Sequence, residues 1–202
     1  LIYSPWGQRS GAHMNPAVTL TFLRLGKIKG WDAFFYVAAQ FLGGIVGVLA
    51  VLAFAGSAFS SAPVAHAVTQ PGPQGHWVAL AAEFAISFGM MLVVLTVSNS
   101  KRWSKWTGLC AGLLVAAYIT LESPISGMSM NPARTVASAL PGGQWMHVWI
   151  YFVAPILGML GAAQAYLWWQ GREGVGCAKL QHPEDQRCIH CGHEPGAADG
   201  SR

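Results

Sequence analysis

The chain has 202 residues, of which 53% are hydrophobic and only 10% charged, and its mean hydropathy is positive. Soluble domains carry about 25% charged residues, so this balance excludes an ordinary soluble globule and selects a membrane protein. The net charge of +4 sits in three short clusters between apolar stretches rather than in a Lys/Arg tract, which excludes nucleic acid as a partner.

The chain opens on Leu1, and residues 1–10 show no charged n-region with a cleavage site. The expectation is a sequence lacking its true N-terminus. Next comes Ser10-Gly11-Ala12-His13-Met14-Asn15-Pro16-Ala17, leading into a short run with helical potential at 17–25. Four apolar stretches then reach, or nearly reach, the roughly 17–25 residues that cross a bilayer as a helix: about 33–59, 77–98, 107–121 and 145–169. Residues 56–76 are rich in Ser, Ala, Pro and Gly, as expected of an irregular connection. Cys110, inside the third stretch, fits a small packing residue. Residues 171–202 form a polar tail.

The basic residues alternate along this plan. Arg24, Lys27 and Lys29 precede the first stretch, and 56–76 holds no Lys or Arg. Lys101, Arg102 and Lys105 follow the second, and Arg134 stands alone between the third and fourth. Arg172, Lys179 and Arg187 follow the fourth. Positive charge favours the cytoplasmic side, so the connections read inside, outside, inside, outside, inside, with a cytoplasmic tail. Trp31, Trp77, Trp103, Trp106, Trp145, Trp149, Trp168 and Trp169 fall near the ends of the stretches, where indole rings anchor at the interface. The protein is thus expected to be integral and multi-pass, in a plasma or inner membrane.

The opening motif returns. Ser126-Gly127-Met128-Ser129-Met130-Asn131-Pro132-Ala133 matches residues 10–17 at six of eight positions, with an offset of 116 residues. The charge pattern puts the two copies on opposite faces, an inverted-topology repeat. Asn is a good helix N-cap, and Pro suits the first helical turn, where its missing N–H costs nothing. The runs at 17–25 and 133–140 are too short to span. Each is therefore expected to be a re-entrant half-helix, the two meeting N-terminus to N-terminus with their partial positive ends adding.

These two motifs, with Thr19, Arg134 and the pair Glu83 and Ser87 in the second stretch, resemble the aquaporin family, the major intrinsic proteins. The resemblance covers about residues 2–169. It implies an all-α membrane protein: a six-helix bundle with two half-helices, from which this chain lacks the first helix and nearly all of the second. It implies a channel domain at 1–170, followed by the tail at 171–202. Asn15, Pro16, Ala17, Asn131, Pro132 and Ala133 are expected at the centre of a pore. The asparagine N–H groups would donate to a passing oxygen, and carbonyls of 11–14 and 127–130 would accept. Arg134, Ile119 and Met128 are expected at the outer constriction, with Arg134 excluding cations. Ile119 stands where water-strict members carry His, which loosens water selectivity. Thr135, Ala139 and Tyr151-Phe152 depart from the glycerol-conducting pattern. The expected cargo is water, with small neutral solutes. A glycerol-type facilitator and a non-conducting scaffold with a metal-binding tail are the alternatives. Glu83 is expected to accept backbone N–H bonds of the second loop, and His13 to line the pore or pack beside it. Homotetramers in a lipid bilayer follow from the resemblance. No nucleophile–base constellation points to an enzyme, and no cofactor is required.

The resemblance stops before the tail. There Cys177, Cys188, Cys191 and His193 give C-x10-C-x2-C-x-H, with His182 and His190 nearby. Three cysteines and a histidine are a tetrahedral zinc set. The other reading is a flexible tail with incidental thiols.

Overall fold

The computed structural model describes residues 1–180, 182 and 187–194, and every regular element among them is helical. In chain order these are α1 (Pro5–Ser10), α2 (Pro16–Arg24), α3 (Gly30–Ala55), α4 (Ser57–Ser60), α5 (His76–Ser98), α6 (Thr107–Leu121), α7 (Ser123–Ser126), α8 (Pro132–Gly142) and α9 (Ile150–Gln170). Short 3-10 turns occupy Ala65–Ala67, Ser104–Trp106 and Arg172–Gly174.

Among the described residues, four helices are long and apolar enough to cross a membrane: α3, α5, α6 with its preceding turn, and α9. The first starts at Gly30 and stops at Ala55, short of the expected 59, because Gly56 at φ +52° breaks the helical path. The last starts at Ile150 rather than 145, since 144–149 is spent on turns. The half-helices α2 and α8 begin one residue earlier than expected, at the prolines themselves.

Helices α5 and α9 form the packed centre. Ile86, Met90, Met91, Val94 and Leu95 of α5 belong to one buried cluster with Met159, Ala162, Ala163 and Tyr166 of α9. Gly158 sets their approach: a Cβ there would stand 2.5 Å from the Phe84 carbonyl oxygen. Small residues at a crossing let backbones come close, the usual device of membrane helices. Gly44 plays the same part between α3 and α8, where a Cβ would lie 3.3 Å from that of Ala137. Much of α3 carries its apolar side chains outward, Phe34, Phe35, Leu42, Val46 and Phe54 among them.

The spans run between two ends. At one, the Tyr3 hydroxyl donates to the Lys105 carbonyl (3.0 Å), the Gly176 N–H donates to Asn99 Oδ1 (2.7 Å), and the Leu180 N–H donates to the Gly11 carbonyl (3.3 Å). At the other, the Gly72 N–H donates to the Ile125 carbonyl (2.8 Å), and the His76 and His147 rings stack at 6.0 Å. The connection at 99–106 and the tail thus share one end, and the connections at 56–75, 122–131 and 143–149 share the opposite one.

Candidate functional site

Each copy of the repeated motif is built by the same local steps. A short helix, α1 or α7, ends on a left-handed glycine: Gly11 at φ 82°, ψ 2° and Gly127 at φ 81°, ψ 0°. This is the C-terminal position that favours glycine, which has no Cβ to clash. An irregular stretch follows, left-handed at Ala12 in the first copy and at Met128 and Met130 in the second. Asn15 and Asn131 then take extended conformations, with φ −143° and −145°. Their Oδ1 atoms cap α2 and α8 by accepting the N–H of Ala17 (2.9 Å) and of Ala133 (3.0 Å). Pro16 and Pro132 occupy the first helical turn.

With each Oδ1 committed to its own helix, each Nδ2 points at the other copy. Asn15 Nδ2 donates to the Met130 carbonyl (2.6 Å), and Asn131 Nδ2 donates to the Met14 carbonyl (2.9 Å). The two half-helices therefore meet N-terminus to N-terminus, laced by reciprocal bonds. A side-chain amide has two N–H groups and a carbonyl two lone pairs. One hydrogen of each asparagine is taken up in the lacing, and one remains. The carbonyls expected to face a pore are also partly engaged: Met14 and Met130 as described, Gly11 with Leu180, and His13 with Gln40 Nε2 (2.9 Å).

The second loop is held by Glu83, fully buried on α5. Its carboxylate accepts the N–H of Ser129 (2.6 Å), the N–H of Met130 (2.8 Å) and the Ser126 hydroxyl (2.9 Å). A buried carboxylate needs such partners, and a loop in left-handed conformations needs an acceptor for its N–H groups. His13 stands in the first loop, 6% exposed. Its Nε2 lies 2.8 Å from the Ala178 carbonyl and its Nδ1 3.2 Å from Thr19 Oγ1. A carbonyl cannot donate, so Nε2 carries a proton. Burial, helped a little by the nearby His190 and opposed in part by the hydrogen bond to Ala178, holds its pKa down to about 4.

Several anchors have no counterpart in the expectations from sequence. The Tyr36 hydroxyl donates to the Ser10 carbonyl and the Tyr151 hydroxyl to the Ser126 carbonyl, each at 2.5 Å. Each tyrosine thus ties the serine before the left-handed glycine to the spanning helix that follows its half-helix. Thr19 and Thr135 form a second pair. His13 reaches Thr19, and Ser129 reaches Thr135 Oγ1 at 2.6 Å. The threonines and their partners His13 and Ser129 are related by the 116-residue offset, and the tyrosines by 115, the signal that locates them in the sequence. Gln40 Nε2 bonds Thr19 Oγ1 as well (2.9 Å).

Arg134, in the first turn of α8, lines a cavity of about 200 Å³ with Gly47, Val51, Phe59, His66 and Ser138. Its Nη1 is buried with no protein hydrogen-bond partner. Met128 is buried and Ile119 is 55% exposed on α6, and neither lines that cavity. In the tail, Cys177, Cys188 and Cys191 come together, but the histidine grouped with them is His182, not His193. The turn after Cys188 explains the exchange. The Cys188 N–H donates to the His193 carbonyl (2.8 Å), and the His193 ring lies edge-on to His182 at 5.3 Å.

Comparison with known proteins agrees with this architecture. Aquaporin NIP2-3 of Zea mays is 37% identical over 188 residues, 93% of this chain and 59% of its own length. Aquaporin NIP2-2 of Zea mays is 38% identical over 167 residues, 82% of this chain and 54% of its own. The chain thus spans a little over half the length of these relatives. The X-ray structure of the aquaglyceroporin from Plasmodium falciparum superposes with a TM-score of 0.66 over 77% of this chain and 71% of that one, at 22% identity, a likeness of fold. The model of the family described as major intrinsic protein matches residues 2–166, and the chain, an integral multi-pass membrane protein, belongs to that family.

Proposed function

We propose that the protein passively conducts water, together with small neutral solutes, across a lipid bilayer. The observation that carries this reading is the meeting of α2 and α8 at two asparagine caps, each bound across to the other loop. Each helix N-terminus bears about half a positive charge, and two facing ends repel cations and protons without touching a neutral molecule, as in aquaporin-type pores generally. The remaining amide N–H of Asn15 and of Asn131 donates to the passing oxygen. Free lone pairs on the Met14 and Met130 carbonyls accept its hydrogens. Arg134 adds a fixed positive charge facing its cavity at the 56–75 end, with Nη1 open. Pro16, Ala17, Pro132 and Ala133 set the helix starts, while Met128 and Ile119, expected beside Arg134, stand outside its cavity. The walls of the Arg134 cavity are mostly apolar, Gly47, Val51 and Phe59 among them, which favours passage of small solutes beside water.

In this reading the connection at 99–106 and the tail face the cytoplasm, and the protein assembles as a homotetramer. The test is stopped-flow light scattering on proteoliposomes holding the full-length protein. Water flux well above that of empty liposomes, with slower glycerol flux, is expected. Flux equal to that of empty liposomes for both solutes would overturn the reading.

A further inference from the structure

We propose that Cys177, His182, Cys188 and Cys191 bind one zinc ion, and that the metal fixes the tail against the loop that carries His13. This site is independent of what the pore carries. The donor atoms of these four residues all lie within 4.8 Å of one another. Cys177 Sγ is 3.5 Å from Cys188 Sγ, and His182 Nε2 is 3.2 Å from Cys191 Sγ. In a tetrahedral zinc site, with Zn–S near 2.3 Å and Zn–N near 2.0–2.1 Å, neighbouring donors stand about 3.4–3.8 Å apart. Those two pairs need adjustments of only tenths of an ångström, and the widest pair, within 4.8 Å, must close by up to about 1 Å. Three thiols and an imidazole are soft and borderline donors, which select zinc over calcium or magnesium.

The surrounding backbone suits the metal. Cys188 and Cys191 sit on one tight turn, closed by the Gly192 N–H donating to the Cys188 carbonyl (3.0 Å), with Gly192 left-handed at φ 73°. The Lys179 N–H points at Cys177 Sγ (3.5 Å), the kind of outer contact that orients a ligand. All three cysteines are free thiols.

The same segment is docked. Ala178, Lys179 and Leu180 are buried. The Ala178 carbonyl accepts from His13 Nε2, the Leu180 N–H donates to the Gly11 carbonyl, and His190 stacks on the His13 ring at 6.3 Å. Beyond the turn at Arg172–Gly174 the described tail has no helix to hold it. A cross-link between 177, 182 and 188–191 would turn this irregular strand into a closed clasp over the first loop, the usual coupling of metal to folding.

Elemental analysis of the full-length protein, purified in detergent with reductant and without chelator, should give about one zinc per chain. Cobalt(II) in its place should give the absorption bands of a tetrahedral thiolate site. Cys188→Ser and His182→Ala should lower zinc affinity at least tenfold, while His193→Ala and Cys110→Ser leave it unchanged. Chelation should speed tryptic cleavage after Lys179 at least tenfold in the wild type, and cleavage in a Cys188→Ser protein should be fast with or without chelator. Zinc near zero after incubation with excess zinc and dialysis overturns the proposal. So does unchanged affinity in Cys188→Ser, or a protein mass two hydrogens short that reports a Cys177–Cys188 disulfide.

Discussion

Three donors converge on the Glu83 carboxylate, and each bond to a charged group contributes about 1.5–3 kcal/mol. Glu83→Gln keeps the shape but turns an N–H toward N–H donors. Apparent Tm in detergent should fall by about 6–12 °C, from a loss of about 3 kcal/mol. Gly11 and Gly127 share a φ near +82° but not a neighbourhood. A Cβ on Gly11 would meet Lys179 at 3.4 Å, whereas one on Gly127 would meet the Gln70 backbone at 2.8 Å. Gly11→Ala should cost about 1 kcal/mol from conformation alone, and Gly127→Ala at least about twice that, measured as shifts in thermal unfolding. His13 makes the fold sensitive to acid. Its folded pKa of about 4 lies below the ordinary 6.5, mainly through burial. The unfolded chain therefore binds the proton first. The stability contributed by the neutral ring is present above pH 6.5 and is lost as pH falls toward 4, amounting to about 2 kcal/mol by pH 5. In unfolding scans from pH 7.5 to 5, His13→Gln should show a shallower decline than wild type.

At the scale of elements, the α5–α9 crossing depends on Gly158. Its missing side chain lets the Phe84 carbonyl approach, so Gly158→Val must push two helices apart and should destabilise by more than about 3 kcal/mol. Gly112, with nothing within 4 Å of an added Cβ, should tolerate Val; thermal stability of the two variants side by side checks the contrast. The four spans were legible in the sequence because length and apolarity alone identify a bilayer-crossing helix. The half-helices were legible because Asn-Pro-Ala appears twice, each time before a run too short to span. Boundaries were less so: Trp145 to Trp149 is as apolar as the helix after it, and nothing in hydropathy marks where turning stops. Tyr36, Gln40 and Thr19 look like ordinary helix residues until their loop partners are known. Spacing in the sequence favours His193, but the turn at Gly192 folds it back so that its carbonyl accepts the Cys188 N–H, and His182 Nε2 is the ring nitrogen that stands 3.2 Å from Cys191 Sγ.

For the molecule as a whole, the charge pattern and the geometry divide the loops the same way. The connection holding Lys101, Arg102 and Lys105 lies at the end occupied by the tail. Residues 56–75, without Lys or Arg, lie at the other. By the positive-inside tendency, a cysteine placed at Ser61 should react with an impermeant maleimide added outside intact cells. One placed at Ser100 should react only after the membrane is opened. Equal labelling of both sites from outside would contradict this orientation.

The bonds between the asparagine caps also bear on how the protein is made. Asn15 waits for Met130, 115 residues later, and Met14 waits for Asn131, 117 residues later. A ribosome adding about 5–20 residues per second takes roughly 6–23 s to cover that separation. Throughout that interval the first half-helix is already synthesised but has no opposite loop to close upon. The last stitch of the central join thus belongs to late biogenesis, and neither half reaches its final form before the other has arrived.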